Sequence, residues 1–98
     1  MSVTWSREAG ENLVDEEFIA SDSVQRAIRF VDAIIDHTEV ILSDNPRSGR
    51  SVLETGNPDI RELIYRGYRI VHRLNGDNSE ILTVFEGHRI LRLNESGN

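Results

Sequence analysis

From Val24 to Leu42 apolar residues return at three- and four-residue steps: Val24, Ala27, Ile28, Val31, Ile34, Ile35, Ile41 and Leu42, with Thr38 in the same series. That spacing is the period of a helix with one buried face, and it predicts a long amphipathic helix. Asp22 followed by Gln25 fits a variant capping box at its start. Pro46 ends it, because proline disfavours helical geometry at Asn45 and lacks the amide a further turn would use. A weaker helix is expected from an N-cap at Ser6 to about Ala20, with Ala9, Leu13, Glu16 or Glu17, and Ala20 on neighbouring turns. Ahead of it, Val3, Thr4 and Trp5 are β-prone and predict a short opening strand.

Beyond residue 50 the period changes from that of a helix to that of a strand. Strands are expected at Val52–Glu54, Ile60–Tyr65, Tyr68–Leu74 and Glu80–Phe85, with breakers at 55–59, Arg66-Gly67 and 75–78. On the third of these Tyr68, Ile70, His72 and Leu74 share one face, and Arg69, Val71 and Arg73 the other. Gly87-His88-Arg89-Ile90-Leu91 closes the strand region. The fold class is therefore α+β: a short N-terminal strand and a helix hairpin packed on a three- to four-stranded antiparallel sheet, whose other face stays partly open. That open face is where function is expected.

Length and composition narrow the chemistry. The 98 residues, 38% hydrophobic and 29% charged, suit one domain over 1–98 with a single modest core. With no cysteine, thiol nucleophiles, disulfides and zinc–thiolate sites are excluded. No lysine is present either, so a P-loop is impossible. Three scattered histidines without paired ligand spacing predict no metal site, and no cofactor is expected. The N-terminus carries neither a basic leader nor a long apolar run, so no membrane association and a cytoplasmic location are expected.

The net charge of −6 conceals an asymmetry. Through Asn45 three arginines face ten acids, a balance of −7; from Pro46 onward eight arginines face seven acids, a balance of +1. A pI near 4.9 argues against nonspecific phosphate-backbone binding, which requires several cations, and no direct sequence-specific nucleic-acid binding is expected. Clustered arginines suit instead the bidentate capture of carboxylates on a protein partner.

Taken in order, the residues Trp5, Ala9, Leu13 and Ile19-Ala20, then Pro46-Arg47-Ser48-Gly49-Arg50, Ile60-Arg61-Glu62-Leu63, Gly67-Tyr68-Arg69-Ile70-Val71, Ile81-Leu82-Thr83-Val84 and Gly87-His88-Arg89-Ile90-Leu91 closely resemble the RelE/ParE toxin superfamily of bacterial type II toxin–antitoxin systems. The resemblance spans nearly the whole chain and rests on the order and spacing of these pieces, since P-x-x-G-R and R-E-L alone occur widely. It implies a small toxin held inactive by a cognate antitoxin, ParD-like or other, whose tail wraps it. The family divides by target: RelE-like members cut messenger RNA on the ribosome, and ParE-like members poison DNA gyrase.

Cleavage of messenger RNA on the ribosome would need a cation for the developing phosphorane charge and groups that move protons. Under that reading Arg61, Arg69, Arg73 and Arg89 supply the charge, and His88 or Glu86 the proton transfer. The family pattern V-x-H-x-x-R is here Val84-Phe85-Glu86-Gly87-His88-Arg89, with glutamate where histidine is common, which weakens the nuclease reading. His72 is expected to be a packed, hydrogen-bonded histidine and His37 a solvated one. Glu54 and Glu62 are expected to pair across strands with Arg50, Arg61 or Arg69, unless Arg50 instead holds carbonyls of its turn. The reading that results is a noncatalytic ParE-like gyrase inhibitor whose partner-binding residues are Arg50, Arg61, Arg69, Arg73 and Arg89. The alternatives are the RelE-like endoribonuclease and a non-toxic binding module of the same fold.

Overall fold

The computed structural model describes residues 2–20 and 23–86. Chain order is β1 (Val3–Trp5), α1 (Arg7–Ala20), α2 (Val24–Asp44), β2 (Arg50–Ser51), a 3₁₀ turn (Leu53–Thr55), β3 (Ile60–Tyr65), β4 (Tyr68–Asn75) and β5 (Asn78–Glu86). The strands form one sheet in the order β1-β5-β4-β3-β2. The helix hairpin lies on one face of this sheet, the α+β arrangement expected from the change of period.

The sheet is wider than the expected three or four antiparallel strands. β1 runs parallel to β5, with Val3 opposite Ser79 and Trp5 opposite Ile81, so the edge is mixed rather than antiparallel. At the other edge the expected strand Val52–Glu54 is replaced: the pairing residues are Arg50 and Ser51, against Glu62 and Arg61, and the chain then coils into the 3₁₀ turn. Val52 still bonds to the sheet through its amide to the Ile60 carbonyl, at 3.2 Å. Its side chain is buried against the sheet with Ile60, Val71 and Phe85, which is why its apolar character suggested a strand.

α2 begins at Ser23, whose hydroxyl accepts from the Arg26 amide at 3.3 Å. The cap is thus one residue later than the Asp22–Gln25 box; Asp22 itself lies outside the described residues. The buried line on this helix is Ala27, Ile34, Thr38 and Leu42. Val24 and Ile28, included in the apolar stripe, are 64% and 47% exposed. Each residue advances about 100° around a helix, so Ile28 stands well to the side of Ala27. Phe30, outside the expected stripe, packs against the core instead.

Two apolar clusters sandwich the sheet. Beneath the helices lie Ala9, Leu13, Ile34, Leu42, Leu63, Ile70, Ile81 and Val84. On the far face Val52, Ile60, Val71 and Phe85 form a smaller one. Alternation along β4 divides the two, Ile70 facing the helices and Val71 facing away, as the sequence predicts. Among the described residues no helix is long and apolar enough to cross a membrane.

The link from α2 to β2 is held by its own geometry. Asn45 accepts the Arg47 amide on its side chain and the Ser48 amide on its carbonyl, both at 3.0 Å, which closes the turn around Pro46. Gly49 follows at φ +97, with its Cα against the Glu62 backbone: an added Cβ would collide with the Glu62 carbonyl. Gly49→Ala is accordingly expected to lower unfolding free energy by about 2–4 kcal/mol, from the combined left-handed strain and clash. Urea denaturation measures this, and an unchanged midpoint would contradict the close approach.

Candidate functional site

The far face is organised by a carboxylate. Glu62, on β3, is 3% exposed, and alternation turns it away from the helices onto the side of Val71 and Phe85. Arg50 stands directly opposite on β2 and donates its Nε–H to Glu62 Oε2 at 2.6 Å. Arg69 reaches diagonally from β4 and donates its Nε–H to Glu62 Oε1 at 2.5 Å. Arg69 also touches Glu54 at 3.5 Å, and its guanidinium lies 5.1 Å from the centre of the Phe85 ring, which faces it from β5.

Both oxygens of the buried carboxylate are therefore satisfied by charged donors from the two neighbouring strands. The expectation that Glu54 and Glu62 pair with Arg50 and Arg69 holds; for Arg61 it does not. Arg61 alternates with Glu62 onto the helix side of β3, beside Leu63, and its Nη1 donates to the Gly49 carbonyl at 3.2 Å. Opposite Arg61 in the register, His72 is wholly buried and its Nε2 meets the Ser48 carbonyl at 3.0 Å. Holding turn carbonyls, considered for Arg50, is thus the work of Arg61 and His72, because they share the face beneath the turn while Arg50 points to Glu62.

For His72 to donate to Ser48, the Nε2 must carry the proton, leaving Nδ1 as an acceptor; it has no partner among the described residues. Burial lowers the pKa of His72 below 6.5; the Ser48 carbonyl opposes this, and the Arg61 charge adds to it. His72 is the packed, hydrogen-bonded residue the sequence predicts. His37 differs from the solvated expectation: it is half-buried, with its ring 4.4 Å from that of Tyr65, which the hairpin of β3 and β4 brings against α2.

The remaining candidates separate. Arg73 shares the far face with Arg69 but sits toward the other end of β4, paired with Glu80 across the strand at 2.9 Å. Glu86 ends β5 opposite Tyr68, and its side chain lies outside the described residues, as do His88 and Arg89. Of the five arginines selected as partner-binding, the fold brings Arg50 and Arg69 together around one carboxylate, places Arg73 further along the same face, and turns Arg61 to the other. Among the described residues no group of three His, Asp or Glu side chains is arranged to hold a metal ion.

Sequence reasoning missed the Arg69–Phe85 contact and the two-pronged clamp on Ser48 and Gly49. The signals for the clamp were present: a Gly-Arg pair after a proline turn, then Arg61 and His72 at positions that alternation places on one face. What the sequence lacked was the register that sets Arg61 opposite His72.

These features define a class: a two-layer α+β domain with a helix hairpin on a mixed sheet and an arginine–carboxylate cluster on the far side. Comparison with known proteins makes the class specific. The family model described as the ParE toxin of type II toxin–antitoxin system, parDE, matches residues 3–91, and the chain belongs to that family. A solved structure described as the chromosomal ParDE TA system from P. aeruginosa is similar in fold, with a TM-score of 0.67 and 23% identity over 88% of this chain and 95% of that one. No curated protein matches the chain.

Two outcomes follow from the geometry. Glu62→Ala leaves Arg69 buried without its principal partner and is expected to cost about 3–5 kcal/mol, while Arg50→Ala, which removes a 70% exposed side chain and leaves Glu62 one of its two charged donors, is expected to cost less, about 1–3 kcal/mol. Equal losses in chemical denaturation would contradict the asymmetry. The second concerns pH: the unfolded chain takes up a proton on His72 more readily than the folded one. The stability His72 contributes is therefore complete above pH 6.5 and is lost as the pH falls from 6.5 through its lower folded pKa. His72→Gln should flatten this part of the stability profile; an unaltered slope would show that His72 does not titrate there.

Proposed function

We propose that this chain is a ParE-like toxin that inhibits DNA gyrase by binding it and is neutralised by a cognate antitoxin, ParD-like or other. The observation that carries the reading is the match to the ParE toxin family over residues 3–91. Physical chemistry supports binding over RNA cleavage. Arg69 is buried and committed to two glutamates, Arg61 is turned to the opposite side and bonded to a backbone carbonyl, and His72 has no exposed surface. A 2′-hydroxyl and a scissile phosphate would need cationic and proton-transferring groups that reach them together, and among the described candidates Arg61, Arg69 and His72 are not so placed; Glu86, His88 and Arg89 lie outside the described side chains. The net charge of −6 likewise disfavours the ribosome, whose RNA surface attracts strongly basic proteins.

Incubating the purified chain with gyrase holoenzyme, ATP and plasmid tests this reading. Accumulation of cleaved DNA is expected, together with intact messenger RNA in a translating extract and restored growth when the product of the neighbouring gene is co-expressed. Codon-positioned cuts in the extract with gyrase unaffected would replace the reading with the ribonuclease one. Inactivity in both assays with antitoxin binding intact would leave a binding module of the same fold.

A further inference from the structure

Among the described residues three buried side-chain polar atoms have no hydrogen-bond partner: Arg61 Nε, His72 Nδ1 and Ser79 Oγ. Two of the three belong to side chains that stand directly opposite each other, Arg61 on β3 and His72 on β4, on the helix side of the sheet. Each of these side chains is already anchored at its far end. Arg61 Nη1 donates to the Gly49 carbonyl at 3.2 Å, and His72 Nε2 meets the Ser48 carbonyl at 3.0 Å. Neither side chain can swing its other nitrogen to the surface without releasing its carbonyl. The two are also near in charge: burial lowers the His72 pKa, and the Arg61 guanidinium adds to the effect.

Buried polar atoms are satisfied in native proteins by other protein groups or by ordered water, and a charged donor left alone is the costliest case. The two atoms need complementary things. Arg61 Nε can only donate. With the His72 proton on Nε2, where the Ser48 carbonyl requires it, Nδ1 can only accept. A direct bond would serve both, but the two nitrogens do not make one. A ligand between them must therefore accept from Arg61 and donate to His72. A simple anion such as chloride only accepts. A metal cation on the imidazole nitrogen would face the Arg61 charge. Each atom exposes less than 1 Å², so a larger organic molecule has no approach. Water alone is small enough and both accepts and donates.

We propose that a single buried water bridges Arg61 Nε and His72 Nδ1, accepting the guanidinium hydrogen and donating to the imidazole. The hydrogen bonds then close a ring: the Gly49 carbonyl, Arg61, the water, His72 and the Ser48 carbonyl, joined through the Ser48–Gly49 peptide. The two prongs of the clamp act as one unit, and the water holds His72 in its Nε2–H tautomer from the inner side as Ser48 does from the outer. The inference concerns how the link before β2 is fastened, and it stands whatever the toxin's target.

NMR on the full nitrogen-15-labelled chain, held above pH 6.5 so that His72 is neutral, tests the bridge. Long-range proton–nitrogen correlations should show the Nε2–H tautomer, with Nδ1 shifted upfield from the position of a free imidazole acceptor. Water and the Arg61 Hε proton should give NOE and ROE cross-peaks of opposite sign, the signature of a held water as distinct from proton exchange. His72→Phe keeps a ring and removes the acceptor, and it should abolish that cross-peak. Where the variant does not fold, a crystal structure of the wild-type chain decides instead, with one water expected within hydrogen-bond distance of both nitrogens. An Nδ1-protonated tautomer, a wild-type chain without the water cross-peak, or a crystal structure with Arg61 Nε–H bonded directly to His72 would each overturn the proposal. A cross-peak that survives in His72→Phe would overturn it too, because the water would then belong to Arg61 alone.

Discussion

A carboxylate at 3% exposure is tolerable only when charged donors replace the water it has lost, and Glu62 obtains one from each neighbouring strand. Through Arg50 it fixes the two-residue strand β2, too short to hold an edge by backbone pairing alone. Through Arg69 it fixes the far side of β4, where Phe85 covers the guanidinium. The same pair explains why a sheet face opposite the helices can be polar yet closed: the ion pairs continue the surface of the small apolar cluster of Val52, Ile60, Val71 and Phe85. Burial of this kind does not by itself add stability over an apolar replacement, but removing one member leaves a charge stranded, so the arrangement penalises every alternative register.

The link that delivers β2 to Glu62 is fastened from the other face. Arg61 and His72, opposite each other in the β3–β4 register, hold the consecutive carbonyls of Gly49 and Ser48. Gly49 itself rides on the Glu62 backbone. Residues 61 and 62 therefore act on the same five-residue link from opposite sides of one strand, Arg61 by gripping the Gly49 carbonyl and Glu62 by anchoring the arginine that follows. The P-x-x-G-R and R-E-L pieces, individually common, are one mechanical unit in this fold.

Much of this was legible in the sequence because its periods are clean. The helix hairpin, the β3–β4 and β4–β5 turns, the division of β4 into an Ile70 face and a Val71 face, and the packed state of His72 all follow from alternation, capping and breakers. Where reading failed, a tertiary relation decided. Nothing local states that Val3–Trp5 pairs parallel with β5, a contact more than seventy residues away in sequence. Val52 resembled a strand residue because it is buried, packed with Ile60, Val71 and Phe85, though the chain coils into a 3₁₀ turn directly after it. The arginines were grouped by composition, and only the register distributes them: Arg61 to the helix side, Arg50 and Arg69 to Glu62, Arg73 to Glu80.

The account depends most on Glu62 and Arg69 acting as a buried pair rather than as two independent surface charges. A double-mutant cycle of Glu62→Ala and Arg69→Ala, read by urea unfolding, measures that directly. A coupling energy of about 2 kcal/mol or more is predicted, with the double variant far less damaged than the sum of the singles. Additive losses, with coupling near zero, would contradict it.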